Sequence, residues 1–79
     1  PLIRKVSDNL FAMGYDSKIV LHGVPSGADV WVYDMTGKLI SMRRNVTTEH
    51  IEIEVPMQSV YNIRVSTSQG AQTIRTFTK

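Results

Sequence analysis

An immunoglobulin-like, all-β antiparallel sandwich of about seven strands is predicted by three features of this 79-residue chain. Short apolar runs recur between turn residues at roughly eight- to twelve-residue spacing. Several of those runs alternate apolar and polar residues with the period of two that a half-buried strand requires. No segment keeps a helical period through three turns. The length allows one domain, and a core of this size supplies only roughly 3–5 kcal/mol on its own.

From the amino end, Leu2 to Val6 reads as a weak strand, and Leu10 to Met13 as a short one ended by Gly14. Lys18 to Val24 is a strand closed by Pro25-Ser26-Gly27. Val30 to Asp34 and Lys38 to Met42 form a hairpin around Met35-Thr36-Gly37, in which Gly37 supplies the positive φ of the turn. His50 to Val55 is the clearest strand, with Ile51, Ile53 and Val55 alternating with Glu52 and Glu54. Pro56 ends it, because proline has no N–H for a ladder. Tyr61, Ile63 and Val65 repeat the pattern, and Ser68-Gln69-Gly70 turns the chain into a last strand over 71–79. The expected core is Ile19, Leu21, Val30, Val32, Leu39, Ile51, Ile53, Val55, Tyr61, Ile63 and Val65, packed between two sheets about 10 Å apart.

Composition narrows the function. At 42% hydrophobic and 20% charged, the chain is globular in character rather than disordered. Nine Lys and Arg against seven Asp and Glu leave an excess too small and scattered for nucleic acid. Without cysteine there is no disulfide framework and no thiolate chemistry. No apolar stretch is long enough to span a membrane and no signal peptide is visible. The opening Pro1 is what a processed piece or an excised domain of a larger protein would show. Because the last strand pattern runs to Lys79, the carboxyl-terminal end is expected to be recognised itself.

Catalytic and metal signatures are weak. His22 and His50 are the two imidazoles, with Glu49 and Glu52 near the second, but their spacing matches no tight metal motif. No nucleophile elbow surrounds any serine or threonine. The scattered carboxylates Asp29, Asp34, Glu49, Glu52 and Glu54 suggest no pocket, so neither an enzyme nor a cofactor site is expected. Asn45-Val46-Thr47 fits the short glycosylation triplet. Trp31 and Tyr33 share one face of their strand, where they either cover the sheet or stack on a sugar or protein. An accessory or carbohydrate-binding module using Trp31, Tyr33 and Tyr15 is therefore the second reading.

The hairpin of Val30, Val32, Tyr33, Asp34, Gly37, Lys38, Leu39 and Ile40 resembles a motif of the C-terminal sorting domains of the type IX secretion system of Bacteroidota. A later run resembles that family's second motif: Tyr61, Ile63 and Val65 match its strand, Gly70 its turn, and Arg75, Phe77 and Lys79 its basic-apolar-Lys ending. The likeness covers about Lys18 to Lys79. Ser59 stands where the family usually has glycine, the last strand carries Thr73, Thr76 and Thr78 where valine and leucine are usual, and the Asn-Pro opening is missing. These departures incline towards the family members that belong to the export machinery and keep the domain attached.

The resemblance implies a single sorting domain at the end of a larger secreted or surface protein. It implies passage through the periplasm to the outer membrane or cell surface. The implied partners are an outer-membrane shuttle protein, a sortase and the translocon, with Asp34, Gly37, Tyr61, Gly70, Arg75, Phe77 and Lys79 as the sorting-motif residues. An exposed last strand could add to a partner's sheet through its backbone. The same edge would permit a dimer.

Overall fold

The computed structural model describes residues 10–78 and folds them into seven strands. These are β1 (Phe11–Tyr15), β2 (Lys18–His22), β3 (Ala28–Tyr33), β4 (Leu39–Val46), β5 (Ile51–Glu54), β6 (Val60–Thr67) and β7 (Gly70–Phe77). One antiparallel sheet has the order β1-β2-β5, the other β4-β3-β6-β7. The β2-β5 and β3-β6 pairings join strands distant in sequence, which gives a Greek-key sandwich of immunoglobulin type.

Period-two alternation places the core. Ile19 and Leu21 from β2, Ile53 from β5, Val30 and Val32 from β3, and Tyr61, Ile63 and Val65 from β6 are essentially sealed from water. Burying each such side chain contributes roughly 1.5–3 kcal/mol before chain entropy is subtracted. Leu10, Val24, Ala28 and Val46 complete the core beyond the sequence expectation, and Ile51 packs against it only partly buried. Val20 is buried although it faces outward, opposite Met13 across the strand pair.

Leu39 departs from the expected core, being 47% exposed. Val32 pairs with Ser41 but Tyr33 with Leu39, so Ile40 is an extra residue in β4. This bulge turns Leu39 outward with Tyr33 and lets Ile40 pack against the core instead. The hairpin strands are also longer than the sequence suggested, because β3 starts at Ala28 and β4 continues to Val46. In the other direction, β2 stops at His22, where Gly23 takes a positive φ before Val24. The expected strand at Leu2 to Val6 lies outside the described residues.

Gly14 does not end β1; the strand passes through it to Tyr15. Its lack of a side chain serves a different purpose. Here β1, at the edge of one sheet, meets the end of β7, at the edge of the other. A Cβ at Gly14 would overlap the backbone carbonyl oxygen of Phe77 and crowd Thr78 Cα. The contact is backbone to backbone, so no rotamer change relieves it. Gly14→Ala is therefore expected to cost about 1–3 kcal/mol, lowering Tm by roughly 4–8 °C per kcal/mol in a domain this small. Thermal unfolding followed by circular dichroism checks this, and an unchanged Tm would show that β1 and β7 do not approach so closely.

Candidate functional site

Parts of the two sequence motifs meet at one end of the sandwich. Antiparallel pairing puts the end of β3, the start of β4, the start of β6 and the end of β7 side by side, since Tyr33 pairs with both Leu39 and Asn62, and Val60 with Phe77. The β3–β4 turn, the 55–59 loop and the exit from β7 therefore share this end.

Asp34 organises the turn. Its Oδ1 accepts the Thr36 amide (2.9 Å), the Thr36 hydroxyl (2.6 Å) and the Lys38 amide (3.0 Å). The Gly37 amide donates to the Asp34 carbonyl (3.1 Å), and the Asp34 amide to that of Lys38 (2.9 Å). Gly37 itself sits at φ 89°, which glycine adopts without strain. The Thr36 hydroxyl, followed by the Lys38 amide, holds the Asp34 carboxyl below its ordinary pKa of 3.8. An aspartate three residues before the glycine is thus a side-chain staple of the hairpin.

Tyr61 is a tyrosine corner. Its ring is 1% exposed, and its hydroxyl donates to the Met57 carbonyl four residues upstream (2.6 Å). Beside it, Thr78 closes the end of β7. Its amide donates to the Ser59 carbonyl (2.9 Å), and its hydroxyl accepts the Ser59 amide (3.0 Å) and donates to the Met57 carbonyl (3.4 Å). The Ser59 contacts use its backbone alone, so they do not depend on the serine side chain. Between turn and loop, Met35, Ile40, Pro56 and Met57 line a shallow apolar notch with Tyr61 at its base.

The seven residues marked by the motif likeness now separate. Asp34, Gly37 and Tyr61 converge at this end, and each is accounted for by the turn or the corner. Arg75 and Phe77 reach the same end on the outer side of β7, Arg75 donating from Nε to Asn62 Oδ1 (3.1 Å) and Phe77 57% exposed. Gly70 lies at the far end, in the β6–β7 turn opposite Thr67. Lys79 is outside the described residues.

No family model, curated protein or solved structure matches this chain. Function must therefore be argued from the geometry.

Elsewhere the sandwich groups side chains that the sequence kept apart. Phe11, His22 and His50 form a stack on the outer face of the three-stranded sheet, with successive ring centroids 4.8 Å apart. His50 Nε2 stands 4.0 Å from Glu52 Oε2, and Glu52 also pairs with Lys18 at 3.1 Å. Among the described residues no three His, Asp or Glu side chains gather as a metal site. Only the β2–β5 pairing brings positions 22 and 50 together, so their sequence spacing carried no signal of the stack. The three aromatics of the carbohydrate reading are divided. Trp31 and Tyr33 lie on the four-stranded sheet, Tyr15 on the other. Asn45 of the glycosylation triplet is exposed at φ 52°, its amide bound to Asp29 Oδ1 (2.9 Å).

The depressed Asp34 pKa links this turn to acid stability. A carboxyl with a lower pKa folded than unfolded stabilises the fold fully above the unfolded value and loses that effect as pH falls through the folded one. The stability difference between the parent and Asp34→Ala should thus be constant from neutral pH down towards 3.8 and shrink below it. Urea titrations at stepped pH measure it. A difference independent of pH would mean that the ionised carboxylate does not hold the turn.

Proposed function

We propose that this domain is a sorting domain of the type IX kind, an address that partner proteins read to carry its parent across the outer membrane. The supporting observation is that the fold gathers Asp34, Gly37 and Tyr61 at one end of the sandwich and runs the exposed Arg75 and Phe77 to that same end. Within this reading the labour is split. Asp34, Gly37 and Tyr61 shape the end of the sandwich, while Arg75 and Phe77 face the partner. As β7 is the last strand of its sheet and has β6 as its hydrogen-bonded neighbour, a partner strand can also align along its outer edge away from Gly14.

Deleting residues 75–79 would be a poor test, because it removes Thr78 and its bonds to the 57–59 loop. Exposed side chains are the better target. A periplasm-targeted reporter fused to the domain, in a bacterium carrying the type IX system, is expected to reach the cell surface. The double variant Arg75→Glu and Phe77→Ser should stay in the periplasm while keeping the parent circular dichroism spectrum. Equal surface display of both would contradict the assigned roles. Periplasmic retention of both folded fusions would contradict the sorting reading itself.

A further inference from the structure

The outer face of the four-stranded sheet holds a broader surface, which shares only Arg75 with the residues the sorting reading sets against its partner. Cross-strand register sets Met42, Trp31 and Arg64 in one row and Leu39, Tyr33 and Arg75 in the next, with Asn62 between the last two. Leu39 and Met42 are 47% and 43% exposed, while Trp31 and Tyr33 are half-buried. The Arg64 guanidinium lies 6.0 Å from the centre of the Trp31 ring. Neither Arg64 nor Arg75 has an ion-pair partner among the described residues. The carboxylate on the next rung, Asp29, has Oδ1 engaged by the Asn45 amide. By contrast, the three-stranded sheet sets Glu52 and Lys18 against each other on its outer face.

We propose that this face docks an acidic protein segment whose carboxylates pair with Arg64 and Arg75 and whose apolar side chains cover Leu39, Met42, Trp31 and Tyr33. Charge complementarity sets the sign, because an arginine desolvated at an interface needs an anion, and a carboxylate meets its planar fork with two hydrogen bonds. The apolar content sets the class. Trp, Tyr, Met and Arg are the residues enriched where proteins bind one another. A nucleic acid would call for many more cations along its phosphates. Two arginines also give only about 2 kcal/mol towards an anionic membrane, at about 1 kcal/mol each. A sugar would need an open ring face, and Arg64 stands over that of Trp31. The inference shares Arg75 with the sorting reading but can fail separately from it, since Arg64 is not among the sorting-motif residues and the test involves no export.

The test is a titration of the isotopically labelled domain, followed by amide chemical shifts, with a short synthetic peptide of alternating leucine and glutamate. Controls are the leucine–glutamine and leucine–lysine counterparts, polyuridylate, and vesicles containing phosphatidylglycerol. The acidic peptide should move amides of β3, β4 and β6 around the two rows, bind about tenfold more tightly than the glutamine peptide, and weaken with added salt. Arg64→Glu should remove that preference and, as an exposed change, leave the Tm near the parent value. Absence of binding, shifts centred on other strands, no preference over glutamine, or an unaltered preference in Arg64→Glu would each overturn the proposal. Tighter binding of polyuridylate or of the vesicles would overturn it in favour of those ligands.

Discussion

The hydroxyl of Tyr61, donated to the carbonyl of Met57, is the contact on which this end of the domain depends. It fixes the 55–59 loop over the core, and the loop in turn offers the Met57 and Ser59 backbone to Thr78. The Thr78 hydroxyl reaches the same Met57 carbonyl, so tyrosine corner and strand end share one acceptor. Once loop and strand end are tied, β7 runs in register with β6 from Gly70 to Phe77. That register presents Arg75 beside Asn62 and sets Phe77 at the margin of the same end. Gly14 completes the closure on the other side by letting the backbone of β1 lie against that of β7.

Much of the fold was legible because it follows from local rules. The alternation of Ile51, Glu52, Ile53 and Glu54 set their faces correctly, and Gly37 after Asp34 located the turn and its positive φ. What could not be read depends on contacts between distant segments. The bulge at Ile40 arises from how β4 is matched to β3, and nothing in Lys38 to Met42 signals that Leu39 will face water. Gly14 looked like a strand terminator because the sequence gives no hint that Phe77 crosses it. Thr78 looked like drift from an apolar pattern, yet its hydroxyl bonds to the backbone of Met57 and Ser59, which a valine side chain could not do.

The same division runs through the candidate site. Motif likeness marked seven residues alike, whereas the sandwich gives three of them structural work and leaves Arg75 and Phe77 exposed on the outer side of β7. The signal that could have separated them was present in part: a tyrosine at the start of a strand, flanked by alternating core residues, is the setting of a tyrosine corner. The face carrying Arg64 was missed for a simpler reason. Trp31 and Tyr33 were seen to share a side, but only the pairing of β3 with β6 brings Arg64 over the indole, and only that of β6 with β7 brings Arg75 into the adjacent row.

Native-state hydrogen exchange of the Thr78 amide tests most directly whether the end of β7 is part of the folded unit. Its donated bond to Ser59 predicts exchange with the same free energy as the amides of Ile63 and Val65 in the centre of β6, rising and falling with global stability across denaturant. Exchange of Thr78 through local fraying, independent of denaturant while Ile63 and Val65 stay protected, would contradict the account. The motif segments would then share a sheet without forming one ordered end.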